Sequence, residues 1–84
     1  MSREYKITCT PLRDSELSEM FRKLPSPINR PKMVEVYNYR IEPDGYYFVD
    51  RLVDQVVASK ALKVFIDAAL SQNESISIKE LNRK

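Results

Sequence analysis

Residues 34–51 read VEVYNYRIEPDGYYFVDR. Four of the chain's five tyrosines, one of its three phenylalanines and its only glycine fall inside these 18 residues. At the centre, Glu42-Pro43-Asp44-Gly45 carries turn chemistry. Proline presets a negative φ at the second position, and glycine accepts a positive φ at the fourth. Runs rich in aromatic and β-branched residues flank it on both sides, so the stretch is expected to form a β-hairpin.

The register of that hairpin sorts its side chains onto two faces. A type I turn followed by a bulge at Gly45 sets Ile41 against Tyr47, Tyr39 against Val49 and Tyr37 against Arg51. One face then holds Tyr37, Tyr39, Ile41, Tyr47 and Val49, which is nearly all apolar and should face the core. The other holds Val36, Asn38, Arg40, Tyr46, Phe48 and Asp50 and should face outward. A two-residue turn shifts the register by one and puts Tyr39 with Phe48. The Pro-Asp-Gly order favours the bulged form.

Working outward, Tyr5 to Thr10 alternates as a half-buried strand, with Tyr5, Ile7 and Cys9 on the inner side. In residues 15–24, SELSEMFRKL, the residues Leu17, Met20, Phe21 and Leu24 form one apolar helical stripe, with Asp14 or Ser15 as cap. Pro25 stops this helix. Residues 25–32, PSPINRPK, hold three of the five prolines and read as a stiff extended link. Residues 52–72 contain a second helix with two readings of its start. Either Asp54 caps a long helix, or Gln55–Ala58 is a short strand and Ser59 caps a helix over 60–71. Residues 75–79, SISIK, alternate again with Ile76 and Ile78 inward, and 81–84 read as a frayed tail.

The order is strand, helix, strand, strand, helix, strand. Right-handed crossovers fold it into a four-stranded antiparallel sheet with two helices on one face, the ferredoxin-like βαββαβ sandwich. Eighty-four residues make one small α+β domain. Such a chain has little core to spare for an enclosed active site, so function is expected on a face, an edge or a loop.

The residue inventory narrows the function classes. There is no histidine, one cysteine and one glycine. That removes the commonest general base, the His-based triads, Cys-x-x-Cys sites and glycine-rich phosphate loops. The chain is expected to be non-catalytic, with no cofactor and no metal. Cys9, on the inner side of its strand, reads as a small hydrophobe rather than a nucleophile. Fourteen basic residues are scattered among twelve acidic ones, for a net charge of +2, so no basic stripe is visible. An N-terminus without an apolar signal region, and the lack of a membrane-length apolar run, lead to a cytoplasmic expectation with no membrane partner.

Residues 44–49, DGYYFV, resemble part of the third-strand motif of RNA-recognition-motif domains, K/R-G-F/Y-G/A-F/Y-V-x-F/Y. The resemblance implies base stacking by Tyr46 and Phe48 and a core role for Val49. Asp44, Tyr47 and Arg51 depart from the motif's basic, small and aromatic positions. The end of the chain, VVASKALKVFIDAAL…SISIKEL, is similar in shape to the closing strand, helix and strand of some bacterial toxin-immunity proteins, which implies protein binding. The expected site is therefore the open sheet face, with Tyr46, Phe48, Arg40, Asn38, Lys6 and Lys79 meeting a protein partner or a second copy of the chain. Single-stranded RNA or DNA on the same face is the alternative.

Overall fold

A computed structural model describes residues 2–25 and 36–81. Strand β1 spans Arg3–Thr8, helix α1 Asp14–Lys23, β2 Tyr37–Glu42, β3 Gly45–Asp50, helix α2 Gln55–Gln72 and β4 Ser77–Leu81. The strands form one antiparallel sheet in the order β2-β3-β1-β4. The proline-rich link expected over 25–32 lies, from residue 26 on, outside the described residues, as do 82–84 of the expected tail. Leu81 itself is paired with Glu4.

The hairpin closes in the two-residue register, not the bulged one. Glu42 pairs with Gly45, Ile41 with Tyr46, Tyr39 with Phe48 and Tyr37 with Asp50. Gly45 does take a positive φ, +146°, but it stays in the ladder, opposite Glu42 on one side and Thr8 on the other. A Cβ at this position would fall on the carbonyl oxygen of Ile7 and lie 3.2 Å from the amide nitrogen of Cys9. Glycine is therefore required by close approach as well as by φ. The turn is held from outside by β1, since the Cys9 amide donates to the Asp44 carbonyl at 3.0 Å.

This register reverses the faces of β3. Tyr46 and Phe48, expected outward, are 0% exposed, whereas Tyr47, expected in the core, points to the face away from the helices. The hairpin alone could not decide, because Tyr46-Tyr47-Phe48-Val49 is apolar on both faces. β1 decides. It pairs Tyr5 with Phe48 and Ile7 with Tyr46, so its clean alternation imposes one inner face on β3. The inner face also gives the buried hydroxyl of Tyr46 a partner, the Leu12 amide at 2.9 Å. Val36 and Asp50 move as well. Val36 is fully buried just before β2, and Asp50 shares the inner face with Tyr37 and accepts from the Leu52 amide at 2.8 Å.

The core is an aromatic layer under two helices. Phe65 of α2 sits 5.1 Å from the Tyr39 ring, 5.4 Å from Tyr46 and 5.8 Å from Phe48, and Tyr37 stacks on Phe48 at 5.5 Å. Burial pushes the Tyr37 hydroxyl up to about 12. Phe21 of α1 packs over Tyr39 at 5.7 Å, so both helices reach this ring of β2. Alanines 58, 61, 68 and 69 are buried along α2, and their small side chains let the helix lie close to the rings.

Two helix starts and two strand ends are now fixed. α2 is the long form: the Asp54 carboxylate accepts from the Val57 amide at 3.1 Å, and Gln55–Ala58 is helical rather than a strand. Val57, Ala58, Ala61 and Phe65 share the inner face, a spacing that only a helix produces. α1 runs over 14–23 rather than 15–24, and Arg13, with no side-chain cap, takes the place of the expected Asp14 or Ser15; Asp14 and Glu16 occupy its first turn instead, near the positive end of the dipole. β1 runs from residue 3 to 8 rather than 5 to 10, and Cys9 lies just past it, partly buried against the core with its thiol pKa raised chiefly by burial. β4 is displaced two residues toward the C-terminus of the expected 75–79, which leaves Ile78 on the inner side of an edge strand and 45% exposed.

Candidate binding face

The sheet face opposite the helices is built from three rows of side chains, read directly from the pairing. Asn38, Val49, Glu4 and Leu81 make the first; Arg40, Tyr47, Lys6 and Lys79 the second; Glu42, Gly45, Thr8 and Ser77 the third. Four of the six residues expected at the site, Arg40, Asn38, Lys6 and Lys79, thus meet on one face as anticipated. Tyr46 and Phe48 do not join them, and Tyr47 supplies the ring.

The face is cross-linked by charge. The Arg40 guanidinium lies over the Tyr47 ring at 4.8 Å and pairs with the Glu42 carboxylate at 3.0 Å. Lys6 donates to Asp44 at 2.7 Å and also to Glu42. Both carboxylates are consequently held below their ordinary values, and the Lys6 ammonium above its own, with the hydrogen bonds as the largest cause. The Tyr47 hydroxyl donates to Glu4, a carboxylate only 6% exposed. Arg51 donates to the Asn38 side chain at 2.7 Å. No buried side-chain polar atom among the described residues lacks a partner.

Three features of this network go beyond the sequence expectation. Glu42 and Asp44 are turn residues by pattern, and the turn also aims both carboxylates at Lys6. Tyr47, inward in the bulged register, faces outward in the observed one. Glu4 joins it, and the alternation Glu4-Lys6-Thr8 against Tyr5-Ile7 signals its outward place. Across the three rows and the turn, Arg40, Lys6 and Lys79 are matched by Glu4, Glu42 and Asp44, and Arg51, bonded to Asn38, leaves the face a single positive charge in excess.

Compared with known protein families, characterised proteins and solved structures, the chain matches none. No helix among the described residues is long and apolar enough to cross a membrane.

Proposed function

We propose that this protein is a non-catalytic interaction module of ferredoxin-like plan that takes a protein partner, a second copy included, on the sheet face opposite its helices. The plan is supported by the strand order. β3 lies between β1 and β2, and β1 lies between β3 and β4, so each helical crossover spans an intervening strand, as in the split βαβ arrangement. The functional reading is carried by one observation, the stack of Arg40 on Tyr47. Arginine and tyrosine are the residue types that dominate interface hot spots. Here the ring is pinned by Glu4 and the guanidinium by Glu42, while the Arg40 side chain remains 65% exposed. Little side-chain entropy remains to be lost when a partner docks on such a pair.

The nucleic-acid alternative loses its support on the same face. The two rings that would stack bases are buried, and the remaining ring is already covered by Arg40. The nearly balanced charges offer little net attraction to phosphates.

The test is site-specific photocrosslinking in cells, with a benzophenone side chain at Thr8, an exposed position on the same face, and, as control, at Lys60, an exposed residue of α2. Protein adducts at position 8 and not at 60 are expected, and an adduct of twice the chain's mass identifies a second copy. Equal adducts at both positions, or none at 8, would refute the assignment of the face.

A further inference from the structure

A different surface, the outer edge of β4, points to self-association. Among the described residues β4 pairs on one side only, with β1, and its first four residues are exposed. Edge strands offer a row of unpaired amides and carbonyls to any other strand, and proteins blunt them with short strands, lysine, proline, bulges or inward-facing charges. β4, SIKEL, is short and has no proline, and its lysine, Lys79, sits on the face away from the helices. Its charge on the inner side, Glu80, is neutralised by Arg3 at 2.8 Å, and its pKa is lowered chiefly by that hydrogen bond. The other inner residue, Ile78, is 45% exposed where its partner across β1, Ile7, is fully buried.

Helix α2 also keeps an apolar flank free of α1. Val64, Asp67, Ala68 and Ser71 of α2 line a groove with α1. Leu62, Ile66 and Leu70 recur every four residues on the flank turned away from them, and Leu70 is 47% exposed on it.

The sequence of β4 selects its own occupant and register. A two-fold axis perpendicular to the sheet keeps both helix layers on one side and pairs residues of like face. Pairing Lys79 with Lys79, or Glu80 with Glu80, sets like charges directly opposite. Pairing Ile78 with Ile78 instead sets Lys79 against Ser77 and Glu80 against Ile76, with no like-charge pair. We infer that two copies of this chain join through antiparallel β4–β4 pairing centred on Ile78, giving one eight-stranded sheet with both helix layers on the same side. The contact is short, at the small end of specific interfaces, so the association is weak and concentration-dependent. It uses the edge and not the face proposed above, and stands or falls separately.

Sedimentation equilibrium on the full chain up to submillimolar concentration is expected to show a monomer–dimer equilibrium. Ile78→Lys, at an exposed position, should weaken it by about tenfold or more while circular dichroism and the melting temperature stay near wild type. Mixing Ile78→Lys with Ile78→Glu should restore a heterodimer. On a Cys9→Ser background, Ile78→Cys should cross-link to itself faster than Lys79→Cys. A wild-type chain that stays monomeric, a dimer indifferent to Ile78→Lys, or faster cross-linking at position 79 would each overturn the inference.

Discussion

Phe48→Ala measured against Tyr47→Ala tests the central structural result, the register of the hairpin. Phe48 is fully buried, with the rings of Tyr37 and Phe65 at 5.5 and 5.8 Å. Truncating such a side chain removes its transfer free energy and leaves a cavity, at a cost of about 3–5 kcal/mol. A chain of this length is stable by roughly 4–12 kcal/mol, so the variant should lose from about a quarter to all of its stability. Where it still melts cooperatively, the midpoint should fall by about 12 °C or more. Tyr47→Ala loses the stack under Arg40, about 0.5–1 kcal/mol. It also loses the hydrogen bond to Glu4, about 1 kcal/mol net, since removing the ring lets water reach the carboxylate. The expected total is roughly 1–2 kcal/mol. Urea denaturation with a shared m-value gives both numbers. The bulged register predicts the opposite order. Tyr47→Ala costing as much as Phe48→Ala would refute the face assignment and the binding face with it.

Three further expectations follow from single contacts. Gly45→Ala forces a side chain into a positive-φ position and onto the Ile7 carbonyl, so it should cost about 2–6 kcal/mol in the same assay, and a cost under about 1 would contradict the close approach of β1. Asp54→Ala should lose about 0.5–2 kcal/mol as an N-cap, while Ser59→Ala, inside the helix, should stay within about 0.5; the reverse order would restore the short helix. Glu42 and Asp44 have folded pKa values below their unfolded ones because Lys6 bonds to them. Their contribution is therefore present above about pH 4 and is lost as pH falls through the folded values. The wild-type acid decline should be shallower in Lys6→Met, read from urea midpoints between neutral and acid pH, and identical slopes would deny the pairing a role in stability.

Much of the architecture was legible because its signals are local. The β1 alternation Tyr5-Lys6-Ile7-Thr8 needs nothing beyond the pleat. The α1 stripe Leu17-Met20-Phe21-Leu24 needs only the helical period. Four of the six expected site residues, Lys6, Arg40, Asn38 and Lys79, were correctly placed on the outer face, because polar positions between apolar ones have one reading. The start of α2 stayed open between strand and helix. Val56-Val57 is a β-prone pair, and only the packing of Val57, Ala58 and Phe65 on the aromatic layer, together with the Asp54 cap, made the helix the lower state.

The sequence by itself determined the order of the elements, the site of the turn and the outer placement of the charged side chains. Tertiary structure decided which of Tyr46-Tyr47-Phe48-Val49 belong to the core. Four consecutive apolar residues carry no period-2 signal, so either face of β3 could be buried at similar cost. The choice came from β1, which is distant in the chain. Its own alternation, the seat of Gly45 on the Ile7 carbonyl, and a partner for the Tyr46 hydroxyl at Leu12 are all satisfied together in one register. That choice moved the exposed ring from Phe48 to Tyr47 and put it beneath Arg40.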